Sequence, residues 1–414
     1  MPTNQNYSHR TTTKTLHITD SLNKPLIGVP VSVNQTNHQF LFACGAFQAV
    51  SAANPDLTHE GEERLPAEEF MELWLTLFNA GTLPFYWLRF EPEQGKPRTK
   101  ELMNAAKWLK DRGCVVKGHP LCWHTSTAPW LLDMNNKDIL QAQIDRIHRD
   151  VSDFKGVIDM WDVINEVVIM PIFDKYDNGI TRIAKELGRI GIIRKMFEAV
   201  RDVNPEATLL LNDFNTSISY EILIEGCLEA GIPIDAIGIQ SHQHQGFWGR
   251  EKLEEVLERY ERFGLPIHFT ENTLISGDLM PKHIVDLNDF VVDEWPSTEE
   301  GELRQAKEVE IMYRTLFAHP LVEAITTWSF ADDMWLHAPA GFLRKDNSKK
   351  PSYDILKSMI KDEWWTSKDF VTDSNGNIEL TGFLGEYEVK HKDQTAAFKL
   401  DKSKEDTVSI QLNF

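Results

Sequence analysis

The chain has no apolar run approaching the roughly 18 residues that a membrane-spanning helix requires. Positive charge is also in short supply. Lys and Arg number 43 against 63 Asp and Glu, a net charge of −20. A balance of that sign argues against nucleic acid or an acidic membrane face as a partner. Cysteine is scarce: Cys44, Cys114, Cys122 and Cys227 are scattered, with no C-x-x-C pair. A zinc knuckle or redox motif is therefore not expected, and buried thiols are. The opening stretch, MPTNQNYSHRTTTK, lacks an apolar h-region. On that ground the chain reads as cytoplasmic, or as secreted where a leader has been removed. No low-complexity tract occurs, and no repeat longer than a strand-plus-helix unit. Against these absences stand 12 Trp, a residue suited to ligand surfaces.

Eight short apolar runs alternate with helix-length segments. The first is FLFACGAF from Phe40. The others lie at Pro84–Leu88, Val115–Leu121, Ile158–Asn165, Thr208–Asn212, Ala236–Ser241, Pro266–Glu271 and Glu323–Phe330. Helical spacing fills the intervals, the last expected helix being Ser352–Lys361. Near-continuous apolar strands alternating with helices imply a parallel sheet covered on both faces. The count fits an α/β fold, a (β/α)8 TIM barrel, over residues 38–362. A doubly wound open sheet is the alternative, but no Gly-rich turn follows an early strand. Residues 1–37 and 363–414 show β alternation, and the two segments are expected to form a small accessory β domain. The stretch Ser276–Glu302 is long for a loop between strand and helix and suggests a functional loop over the barrel mouth.

Barrels carry their chemistry at the C-terminal strand ends. Here those ends read GHPLCWH (His119, Trp123, His124), WDVINE (Asn165, Glu166), LND (Asn212, Asp213), IQSHQH (Gln240, His242, His244), HFTEN (Glu271) and TTWSFADDMW (Trp328, Trp335). Glu166 and Glu271 end the fourth and seventh runs. Two opposed carboxyl groups suit glycoside hydrolysis, where one donates a proton to the leaving oxygen and the other attacks the anomeric carbon. Trp rings around them can stack on sugar faces, and Asn or Gln can bond ring hydroxyls.

In that order, GHPLCWH, WDVINE, LNDFN, GIQSH, the T-E of the seventh run and the late W-x(6)-W resemble glycoside hydrolase family 10. That is the retaining endo-β-1,4-xylanase family, and the resemblance covers roughly residues 40–360. It implies Glu166 as acid/base and Glu271 as nucleophile. It implies His119, Trp123, Asn165, Gln240, His242, Trp328 and Trp335 as substrate-binding residues, with His242 touching the nucleophile. The implied partner is a polysaccharide or oligosaccharide, with xylan first, and neither metal nor organic cofactor is required. Two departures stand out. The family's T-x-E-N-x-x-K-W after the second strand is replaced by TLPFYWLRFEPEQG, with Phe85, Tyr86 and Trp87 in that region. The Asp of the family's T-E-L-D is replaced by Thr273. Three rival readings remain, the first a glycosidase of the same fold acting on a different β-glycan. His242 and His244, with His119, His124 and Asp213, could form the metal site of a barrel hydrolase. The lost polar triad could also mark a glycan-binding relic without activity.

Overall fold

The structure, a computed structural model, describes residues 6–56 and 67–413. The first five positions of the expected N-terminal segment and Phe414 lie outside that range. The chain divides into two compact units, 1–41 with 354–414, and 42–353.

The smaller unit is built from both ends of the chain. Strands β1 (Thr11–Thr19) and β2 (Pro30–His38) precede the barrel. The barrel strands are β3 (Leu41–Gly45), β4 (Ala80–Pro84), β5 (Val115–His119), β6 (Met160–Asn165), β7 (Thr208–Asp213), β8 (Ala236–Ile239), the short β9 (His242–Gln243), β10 (Ile267–Leu274) and β11 (Val322–Thr327). After it come β12 (Ser367–Val371), β13 (Asn377–Phe383), β14 (Gly385–His391), β15 (Gln394–Leu400) and β16 (Thr407–Gln411). One sheet of the small unit has the order β13-β1-β16, the other β12-β2-β14-β15. Period-two alternation turns Leu16, Ile18, Val31, Val33, Leu380 and Val389 into one shared apolar core.

In the larger unit β3-β4-β5-β6-β7-β8-β10-β11 run side by side, and β11 returns to β3, closing an eight-stranded barrel. The paired strands are parallel, so each strand needs a crossover, and helices supply it. Several helices start on side-chain caps: Asn135, Asn178, Ser217 and Thr298 each accept from a backbone N–H of the first turn. The last helix is Pro351–Ser358, shorter than the expected Ser352–Lys361 because a π-type turn follows at Met359–Glu363.

The second barrel strand differs from expectation. It is Ala80–Pro84, not Pro84–Leu88, and Trp87–Phe90 is a helical turn beyond it. The strand reads weakly as apolar because the barrel demands small residues there. A Cβ on Gly81 would lie 2.9 Å from the Cβ of Ala46. The aromatic run after it is a loop packed on a buried guanidinium. Arg146 donates to Leu121 O (2.9 Å) and to Phe85 O, and sits 4.7 Å from the Trp87 ring centroid.

Gly118 in β5 shows how tightly the barrel is filled. A Cβ there would lie 2.1 Å from the fully buried Trp161 ring, itself boxed by Phe85 and Phe154. Gly118→Ala is expected to destabilise the fold by about 3 kcal/mol. Chemical denaturation checks this: a midpoint unchanged from wild type would show that Trp161 can move aside.

Candidate active site

Lys117 and His119, two apart on β5, point to one side of the strand. Both reach Oδ2 of buried Asp162 on β6, at 2.8 Å from Lys117 Nζ and 2.7 Å from His119 Nδ1. That pair fixes the His119 ring, whose Nε2 faces Glu271 Oε1 at 3.9 Å. Burial pushes the Asp162 carboxyl upward, but Lys117 and His119 outweigh it and hold the group below its ordinary value.

Glu166 follows β6 directly and has φ +57. That left-handed conformation is costly for a residue with a Cβ and is common where function holds it. Its backbone N–H donates to Asn212 O at 2.9 Å. The carboxylate accepts from Trp123 Nε1 (2.9 Å, Oε2) and from Gln240 Nε2 (3.0 Å, Oε1). Burial dominates and pushes its pKa up to about 8. The bonds from Gln240 and Trp123 oppose the rise, and the charges of Asp213 and Glu271 add to it.

Glu271 lies on β10 and is buried. Asn212 Nδ2 donates to its Oε1 at 2.8 Å, and His242 Nε2 lies 3.3 Å from its Oε2. Burial raises this carboxyl too. The charge of His119 and the bond and charge of His242 reverse the effect, leaving Glu271 below the ordinary carboxylate value.

One amide relay joins the two carboxylates. Asn165 Oδ1 accepts from Asn212 Nδ2 (2.8 Å) and Gln240 Nε2 (3.1 Å). Thr270 Oγ1 donates to Asn212 Oδ1 at 2.6 Å and so fixes that amide's orientation. Asn212 therefore touches Glu271 and Asn165 at once. It was visible only as the LND strand end and was absent from the expected binding set. Aromatic rings wall the site. Trp328 packs edge-on against His119 (5.2 Å) and Phe47 (5.4 Å), and Trp335 lies 4.7 Å from the His242 ring. Tyr86, also outside the expected set, packs on His119 and Trp123 at 5.7 Å each. Its neighbours Phe85 and Trp87 are buried in the core.

All nine expected residues thus meet at one mouth. The five groups of the metal reading do not. His124 is buried against Phe173, at 4.6 Å between centroids, and Asp213 accepts from the backbone N–H of Val168 and Asn215. His119 and His242 are engaged with Asp162 and Glu271. Among the described residues no group of three or more His, Cys, Asp or Glu is placed to hold a metal ion. Thr273 bonds to His244 Nδ1 at 3.2 Å and not to His242, whose buried Nδ1 has no hydrogen-bond partner.

A (β/α)8 barrel with one carboxyl pushed above and one held below its ordinary value, ringed by Trp and amides, has an arrangement suited to glycoside hydrolysis. Residues 84–359 match the family described as Glycosyl hydrolase family 10, and the chain belongs to that family. It is 26% identical over 321 residues to endo-1,4-beta-xylanase B of Thermotoga neapolitana, covering 72% of this chain and 85% of that protein. It is 23% identical over 380 residues to anti-sigma-I factor RsgI6 of Acetivibrio thermocellus, covering 90% of this chain. The chain spans 44% of that relative's length. Among solved structures, xylanase 10B of Thermotoga petrophila RKU-1 in complex with xylobiose superposes with a TM-score of 0.63 at 21% identity. That match covers 78% of this chain and 95% of the other. Among the described residues no helix is long and apolar enough to cross a membrane.

Proposed function

We propose that this chain hydrolyses β-1,4-linked polysaccharide or oligosaccharide with retention, by double displacement, with xylan as the first substrate class. The observation that carries the reading is that one hydrogen-bond relay joins Glu166 and Glu271 while their surroundings shift the two carboxyl groups in opposite directions. Glu166 delivers its proton to the departing oxygen while ionised Glu271 attacks the anomeric carbon and forms a glycosyl-enzyme. Glu166, now a carboxylate, then takes a proton from water, which attacks and frees Glu271. His242 and Asn212 hold Glu271 in place. Asn165 meets a hydroxyl beside the reacting carbon, and Trp123, Trp328 and Trp335 offer faces to sugar rings. His119, held by Asp162, lines the same site. The mechanism calls for neither metal nor organic cofactor. The xylanase names among the relatives support xylan. In the family this chain resembles, the Glu, Asn and Lys after the second strand hold the sugar on the non-reducing side, and their absence here supports glycone contacts that differ from the family's.

The test is a panel of aryl β-glycosides and polysaccharides led by xylan, with and without chelator. Cleavage of xylan or aryl β-xylosides that survives chelator supports the proposal. Cleavage of another β-glycan alone redirects the specificity, and chelator-sensitive cleavage counts against the mechanism. A second reading, glycan binding without hydrolysis, is favoured by the absent polar triad. Silence on the whole panel together with oligosaccharide binding would establish it.

The pH profile follows from the two carboxyl groups. Activity requires ionised Glu271, whose lowered pKa puts the acid limb of kcat/KM below the ordinary glutamate value of 4.5. It also requires protonated Glu166, so the alkaline limb falls near pH 8. Rates on an aryl β-xyloside across that range check this. An alkaline limb well on the acid side of neutrality would sink the assignment of Glu166 as proton donor.

A further inference from the structure

The segment that follows β10, residues 275–298, is a built structure. Ile275, Met280 and Trp295 form a small apolar core with Ala338 and Ala340 from beyond β11, and Ile284, Leu287, Phe290 and Val292 pack on it. Trp295 Nε1 donates to Asp278 O at 2.8 Å. A buried network pins the root of the segment. Lys350 Nζ reaches Ser276 Oγ (2.7 Å) and Asp332 Oδ1 (2.5 Å), and Ser297 Oγ donates to Asp332 Oδ2 (2.7 Å).

From that root the segment runs over neighbouring strand-end loops at the rim of the mouth. Met280 N–H donates to His244 O at 2.9 Å, and Gln245 Nε2 donates to Pro281 O (2.9 Å) and Ile284 O (2.7 Å), so it passes over the loop after β8. Its tip reaches the loop after β6. Lys175 Nζ donates to Asp286 Oδ2 and to Asp289 Oδ1, both at 2.6 Å. Under the tip lies a row of rings. Trp123, the donor to Glu166, neighbours His124 at 6.3 Å; His124 packs on Phe173 at 4.6 Å, and Phe173 on Tyr176 at 4.9 Å. The charge of Asp286 is felt at both His124 and Tyr176, and that of Glu166 at Tyr176. The tip therefore lies on the Glu166 side of the site.

Glu166 protonates the leaving oxygen in the mechanism proposed above, so this is the side on which the leaving group sits. We infer that the 275–298 segment, latched to Lys175, roofs the leaving-group side and restricts the enzyme to releasing a short saccharide from the reducing end. The inference rests on the hydrolase reading. A linear chain running out past Glu166 meets the latch and the ring row beneath it. An isolated exposed ion pair holds little by itself. The apolar core and the Lys350 network hold the segment, and Lys175 sets where its tip rests.

The test uses reducing-end-labelled xylohexaose, with labelled cellohexaose in parallel. The length of the labelled fragment at early times reads the leaving group directly. Wild type is expected to place the label in mono- and disaccharide. The double variant Lys175→Ala, Asp286→Ala, at an exposed and a half-buried position and with its melting transition compared with wild type, is expected to raise the share of label in trisaccharide and longer fragments severalfold. Wild type that releases mainly labelled trisaccharide or longer overturns the roof, and an unchanged fragment pattern in the variant overturns the latch. Hydrolysis of an aryl β-xyloside by the same preparations separates these failures from failure of the hydrolase reading, which alone predicts it.

Discussion

Glu271→Gln is expected to lower kcat on the order of 10⁵-fold with every leaving group tried, since the proposed mechanism assigns formation of the glycosyl-enzyme to Glu271. The amide keeps the volume of the carboxyl, so packing around it is retained. Its charge is lost, and with it the partner of His242 and His119. Because the nucleophile attacks in the same step in which the leaving group departs, an activated aryl β-xyloside loses as much as a native glycan. The measurement is kcat on both substrate types, beside a denaturation curve showing that the variant is folded. A loss below about a hundredfold on the aryl substrate would remove Glu271 from the nucleophile role.

Glu166→Gln is expected to behave differently, and the difference separates the two roles. Loss of proton donation costs roughly 10²–10⁴ for a poor leaving group. A dinitrophenolate departs without a proton, so formation of the glycosyl-enzyme from it is nearly spared. Breakdown of that intermediate still lacks its base, and an initial burst of dinitrophenol followed by slow turnover is the expected trace. Azide needs no base and should restore turnover, yielding a glycosyl azide of retained configuration. The alkaline limb near pH 8 should vanish with Glu166, because no other group in the mechanism has to stay protonated. Equal losses on good and poor leaving groups, with no rescue by azide, would argue for a merely structural Glu166.

Much of this site is legible in the chain because a barrel turns sequence order into position. A polar residue that closes an apolar run stands at the mouth, so WDVINE, GIQSH and HFTEN announce Asn165, Glu166, Gln240, His242 and Glu271 before any coordinates. What spacing does not show is which side chains bind one another. Asn212 reads as one more strand-end amide, yet its Nδ2 joins Asn165 to Glu271. Lys117 received no role from the sequence, yet with Asp162 it fixes His119. Strand β4 was misplaced by four residues because Gly81 and Thr82 face close packing and carry little apolar signal, while the aromatic run beyond it is stronger and belongs to a loop. Thr273 stands where the family has Asp, and only the coordinates show that it serves His244 instead. The length of the segment after β10 hinted at a functional loop, but the path it takes along the rim depends on tertiary contacts at Gln245 and Lys175.

The small β unit sets a timetable for the newly made chain. β1 pairs with β13 and β16, and β2 with β12 and β14. The first two strands therefore leave the ribosome long before any partner exists. At about 5–20 residues per second, the wait is on the order of tens of seconds. Throughout that interval two alternating strands present bare hydrogen-bonding edges to whatever is nearby. A chain stopped anywhere before β12 keeps those edges permanently. Shortened versions made to isolate the barrel should drop both flanking segments together, because removing either one strands the other.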